Sequence, residues 1–181
     1  TLHLISHDHA DARQCDIIFV HGLDGEWRTT WHSDGEPEKS FPRWISADFP
    51  KANVWSLEYD AASSAWLGYD MPISDRALNV LAELESNDIG SKPIIFVAHS
   101  LGGLIVKQVL RHALQYHNPL WRPLAKHTRG VVFIATPNQG SKIADWISHL
   151  RLVYRASSTV GELERSAVGI RDLNTWFRNN V

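Results

Sequence analysis

Two short segments carry residue types suited to nucleophilic catalysis. Ala98-His99-Ser100-Leu101-Gly102-Gly103 joins an apolar run to an amphipathic one. A serine on a tight strand-to-helix turn adopts strained backbone angles, and small residues two before and two after it let the turn close. Ala98 and Gly102 fill those two positions. Such a turn exposes the serine hydroxyl at the positive end of the next helix, where the Leu101 amide faces a developing oxyanion. The plainer alternative is a serine that caps a helix after a strand.

The second segment is His21-Gly22-Leu23-Asp24-Gly25, which also follows an apolar run and stands about 77 residues before Ser100. Its glycines let the backbone bend so that an amide, that of Leu23, faces the serine. Oxyanion donors of this kind contribute about 3–4 kcal/mol each to transition-state stabilisation. Turn glycines after strands are common, and so are helix-capping serines. The pair, in this order and with one strand–helix unit between, points to acyl transfer through Ser100.

Other reactive residue types have plainer explanations. His7-Asp8-His9 with Asp11 places two histidines on one side of an extended segment, but no third ligand has matching spacing, and no metal site is expected. His99 neighbours the serine, yet alternation along a strand turns its side chain the other way, towards packing or a lid contact. Of the eight tryptophans, Trp44, Trp55 and Trp146 fall on expected core faces. Trp27, Trp31 and Trp66 lie in loops near the expected mouth of the site, where they line an acyl pocket or cover the sheet edge. Tyr59-Asp60 ends a strand and reads as structural.

The elements that must position Ser100 are legible as alternating runs. Asp16–Val20, Asn53–Tyr59, Pro93–Ala98 and Gly130–Ala135 are short, apolar and bounded by turn residues, the signature of strands buried on both faces. Residues 1–14 are polar and histidine-rich and suit an edge strand or an arm. Phe41, Trp44, Ile45 and Phe49 recur at helical spacing behind Ser40, a capping candidate, with Pro42 in the first turn. Ala77, Leu78, Val80, Leu81 and Leu84 mark a second helix. Leu101, Ile105, Val109 and Ala113 share one face of a third, and helical stretches over about 141–151 and 159–178 close the sequence. This alternation predicts an α/β sandwich with a mostly parallel sheet covered on both faces.

Composition agrees with that architecture. The chain has 181 residues, 44% apolar and 21% charged, enough for one domain with a full core, and residues 1–181 are read as that single domain. Eighteen basic against twenty acidic residues give a net charge of −2, which removes the electrostatic ground for a nucleic-acid partner. No run approaches the roughly 18 apolar residues of a transmembrane segment, and no signal-peptide layout is visible. A lone Cys15 excludes an intrachain disulfide. A soluble, cytoplasmic chain is expected, and Thr1 in place of methionine points to a chain that was cut, processed or trimmed.

Three runs together resemble a known family: IIFVHGLDGEWRTTW from Ile17, PIIFVAHSLGGLIVKQVL from Pro93 and VFIATPNQGS from Val132. They look like the serine esterases, a lipase-like branch of the α/β-hydrolases that includes the serine active-site-containing protein and, more distantly, GPI inositol-deacylase-like proteins. Similar domains also occur as the amino-terminal effector of NTPase receptor-type proteins. The resemblance runs from about residue 15 to 178. It implies Ser100 as nucleophile, the Leu23 and Leu101 amides as oxyanion donors, an ester or lipid substrate, and neither cofactor nor metal. The family often has histidine-arginine where this chain has Asn138-Gln139, a departure that leaves the serine chemistry alone.

The resemblance also implies an acid and then a histidine, each after a further strand. Beyond Ala135 only His149 is available, inside a helical stretch, and it reads as a surface histidine, as Asp145 and Asp172 read as surface acids. The expected fold is therefore an α/β-hydrolase-like three-layer sandwich cut short on its carboxyl side, with acid and base beyond Val181. Losing the base alone costs a serine protease about 10⁶ in turnover, so this stretch alone is expected to be nearly inert. It would also expose the Gly130–Ala135 edge to pairing with another chain, and fusion to or assembly with further domains is expected. The sequence thus supports a serine hydrolase of carboxylic esters. The alternative is a non-catalytic or assembly-gated effector module of a larger NTPase receptor-type protein.

Overall fold

The computed structural model describes residues 1–6, 13–32, 39–61, 73–138 and 160–181, with side chains in the last segment from 167 onward. Strands β1 (Leu2–Leu4), β2 (Cys15–Val20), β3 (Ala52–Leu57), β4 (Ile94–His99) and β5 (Thr128–Ile134) form one sheet in the order β1-β3-β2-β4-β5. β1 lies antiparallel on β3 and forms one edge; the other three pairings are parallel. The helices are α1 (Phe41–Asp48), α2 (Ile73–Ser86), α3 (Leu101–Gln115), α4 (Arg122–His127) and α5 (Val160–Asn180).

Strand alternation divides the core into two layers. Ile18 and Val20, with Phe96 and Ala98, face the side covered by α2, α3 and α5, where Leu81, Leu104, Ile105 and Ile170 complete a large cluster. Ile17, Phe19, Val54 and Val97 face the other side, beneath Trp31, Phe41 and Ile45. A parallel sheet buried on both faces needs continuous apolar strands, which is what β2 and β4 supply. This is an α/β fold with helices on both faces of a mostly parallel sheet, as the alternating runs predicted.

Local deviations have local causes. Ser40 takes the N-cap position of α1 with extended backbone (φ −104°, ψ 148°), yet its side chain makes no capping bond. Its carbonyl accepts from Trp44 N–H at 3.1 Å, and it bridges to His32 instead. Trp44 is not a core residue: it is 53% exposed. An eight-residue helix has little more than two turns, and Pro42, Phe41 and Ile45 already fill the inward face. Phe49 closes α1 as its C-cap and is also exposed. Trp55 is half-buried, and its indole N–H donates to buried Asp16 at 2.9 Å.

Candidate active site

The order of the strands fixes where a site can form. From β2 the chain crosses through α1 to β3, then returns through α2 to β4 on the other side of β2. The order reverses between β2 and β4, and in open α/β sheets ligands bind in the crevice beyond the carboxyl ends of such strands. Val20 pairs with Ala98 there, so Gly22 and Ser100 emerge side by side.

Ser100 stands between β4 and α3 with φ +50° and ψ −118°. For a residue with a Cβ this is a disfavoured, left-handed conformation that persists only where its surroundings impose it. Two bonds, one to the last residue of β5 and one from just beyond it, impose it here. Ser100 N–H donates to Ile134 O at 2.8 Å, and the Thr136 hydroxyl donates to Ser100 O at 3.1 Å.

Glycine packing brings the loops against this turn. A Cβ on Gly102 would lie 2.4 Å from the carbonyl oxygens of both Val20 and His21, so α3 enters directly against the backbone leaving β2. A Cβ on Gly22 would lie 2.9 Å from Ser100 Cβ, and one on Gly103 would meet the Thr136 side chain at 2.1 Å. Ala98, the small residue two positions before the serine, is fully buried in the core.

The loop after β2 is a tight turn. Gly25 N–H donates to Gly22 O at 3.1 Å across Leu23 and Asp24, and Asp24 takes a left-handed φ of +49°, which aspartate tolerates. Asp24 N–H donates to Ala61 O at 2.9 Å, which ties the turn to the segment after β3. Among the described residues no acceptor pairs with the amides of Leu23 or Leu101. Buried His21 stacks on Tyr59 with ring centroids 4.5 Å apart, and its Nδ1–H donates to Gly22 O at 3.0 Å. The Tyr59 hydroxyl donates to His21 O at 2.8 Å, so the Tyr59 reading as structural has a specific content: it pins the carbonyl that Gly102 packs against. Burial pushes the His21 imidazole below its ordinary pKa, against the opposing pull of the Gly22 carbonyl and of Glu58 and Glu26.

His99 does not turn away from the serine as strand alternation suggested: its Nδ1 and Ser100 Cβ would both lie 2.9 Å from a Cβ on Gly22, and its ring packs edge-on to Trp31 with centroids 6.3 Å apart. Its Nδ1 is buried without a hydrogen-bond partner among the described residues, and burial lowers its pKa. Among the described residues no histidine bonds the Ser100 side chain. Trp31, 8% exposed, meets Phe19 edge-on and covers the sheet face. Trp27 stacks on His3 at 3.7 Å over the antiparallel edge. Asp172 is a surface acid, paired with Arg111 at 2.7 Å. His7, Asp8, His9, Asp11, Trp66, Asp145, Trp146 and His149 lie outside the described residues. Within them no cluster of metal-ligating side chains occurs, and no helix is long and apolar enough to cross a membrane. A groove of about 580 Å³, lined by Tyr116, His117, Arg122 and Lys126, sits at the far end of α3, about 20 Å of helix from Ser100.

The chain is similar to curated proteins of greater length. It is 32% identical over 188 residues to Protein SERAC1 of Danio rerio, covering 92% of this chain and 28% of that protein. To the Mus musculus protein of the same name it is 28% identical over 183 residues, covering 91% and 28%. The chain thus spans 28% of the length of these relatives. Among solved structures, an inhibited esterase B from Lactobacillus rhamnosis aligns with TM-score 0.45 and 13% identity over 93% of this chain and 49% of that one. A lipase-esterase related protein from Clostridium acetobutylicum aligns with TM-score 0.47 and 12% identity over 98% and 69%. The family described as "Putative serine esterase (DUF676)" matches residues 15–147, close to three quarters of the sequence, and includes both the turn after β2 and the Ser100 elbow. The chain belongs to that family.

Proposed function

We propose that Ser100 is the nucleophile of a serine hydrolase that cleaves carboxylic esters, those of lipids among them, through an acyl-enzyme. The observation that carries this reading is the Ser100 backbone, held at φ +50° at the strand-order reversal with Gly22 against its Cβ. A serine that merely caps a helix has no need of that conformation: an N-cap residue normally lies in the extended region.

In the reaction Ser100 Oγ attacks the ester carbonyl carbon and gives up its proton to a base. The carbonyl oxygen takes the negative charge and accepts hydrogen bonds from the Leu23 and Leu101 amides, which lack other acceptors among the described residues. The C–O bond to the alcohol breaks, the alcohol leaves with the proton from the base, and water then releases the acid from Ser100. The base and its orienting acid come from residues outside those described, in keeping with the greater length of the relatives.

Intact-mass labelling with a fluorophosphonate tests this assignment. The naturally produced protein should take up one phosphonate per chain and lose it entirely in Ser100→Ala. Uptake that survives in the variant, or none in a folded natural protein, sinks the assignment. The 181-residue chain alone should label far more slowly than the natural product, because removing a base costs about 10⁶ in turnover in a serine protease.

A further inference from the structure

Lys107 lies two turns along α3 from Ser100, is 2% exposed, and has no carboxylate partner among the described residues. A buried ammonium persists only where its donors are satisfied. Its Nζ donates to Asn138 Oδ1 at 2.6 Å and to Asn174 Oδ1 of α5, and it faces the rings of Phe133 and Phe177 at 4.7 and 5.5 Å. Asn174 in turn donates through Nδ2 to Pro137 O at 2.9 Å.

These partners converge on one short segment, the exit from β5. Ile134 and Thr136 hold the two backbone polar groups of Ser100. Ala135 between them takes a left-handed φ of +52°, and Asn138 N–H donates to Thr136 O at 2.8 Å. The links close a ring: Ser100 runs covalently along α3 to Lys107, Lys107 holds Asn138, and the Asn138–Thr136 turn returns to Ser100. A backbone as strained as that of Ser100 needs such over-determination. We propose that Lys107 is a positioning residue for Ser100, acting through Asn138 and Asn174 on the β5 exit. This rests on the reading of Ser100 as nucleophile.

The test compares Lys107→Met, Asn138→Ala and Asn138→Asp with the parent in the naturally produced protein. Lys107→Met removes a buried group and risks the fold; Asn138 is exposed, so Asn138→Ala does not. Two readouts are taken: amide hydrogen exchange in the peptide spanning His99–Leu104, and the rate of phosphonate uptake by Ser100. Asn138→Ala should speed exchange there and slow uptake by about tenfold at temperatures where the variant, somewhat less stable for the lost acceptor of Lys107, is still fully folded. Asn138→Asp, which keeps an oxygen for Lys107, should restore both. In turnover of a soluble ester the loss should fall on kcat with KM unmoved.

Parent-like exchange and uptake in a folded Asn138→Ala would overturn the positioning role and leave the nucleophile in place. Loss of stability alone, without change at Ser100, would reduce the cluster to packing and overturn it as well. A parent that protects these amides but takes up no phosphonate would remove the nucleophile reading, and the positioning role with it.

Discussion

Ser100 holds a backbone conformation that a side chain disfavours, at a cost on the order of 1–3 kcal/mol. Glycine has no such penalty but loses more chain entropy on folding. Ser100→Gly should therefore gain about 1 kcal/mol in urea denaturation while losing all phosphonate uptake. A variant less stable than the parent would show that the turn is not under strain. At this scale the sequence was informative where chemistry is local. Ser100, Gly102 and the turn after β2 are recognisable because the residue types that mark them stand within four or five positions of one another, although the bonds that hold Ser100 come from Ile134 and Thr136. Lys107 was not: it reads as one polar position on an apolar helix, and its partners lie 31 and 67 residues away. Thr136 escaped notice for the same reason.

Between elements, two glycines should behave in opposite ways. In Gly102→Ala the new Cβ would meet backbone oxygens of Val20 and His21 at 2.4 Å, and neither can move without shifting β2. That substitution should cost about 2–3 kcal/mol and drop the urea midpoint accordingly. Gly130 sits within β5 with open space around its Cβ position, so Gly130→Ala should gain about 0.5 kcal/mol. Equal effects at the two sites would mean that α3 does not enter against the end of β2. The four parallel strands were foreseen to within two residues at each end as apolar runs between turn residues, but β1 was read only as an edge strand or an arm, and β5, expected to be buried on both faces, has no buried residue. The faces of α1 were not. Its spacing placed Trp44 inward, but two helical turns cannot define a stripe once Phe41 and Ile45 have occupied it.

For the molecule as a whole, His21, His99 and His112 are all held below the ordinary imidazole pKa, chiefly by burial. The unfolded chain therefore takes up protons before the folded one does. Stability from these groups is complete above about pH 6.5 and is lost as pH falls through the unfolded value towards the lower folded ones. The urea midpoint should be lower at about pH 5.5 than at about pH 7.5, and His21→Gln should shrink the difference. A midpoint unchanged across that interval would mean that these imidazoles titrate as if exposed. The pairing of β2 with β4 also has a consequence during biosynthesis. The turn after β2 and the Ser100 elbow emerge from the ribosome about 80 residues apart, which at roughly 5–20 residues per second is about 4–16 s. Through that interval β3 can cover one edge of β2, while the edge that belongs to β4 stays open. The half of the site made first thus waits beside an unpaired apolar strand, the moment in the life of the chain when a holding chaperone would matter most.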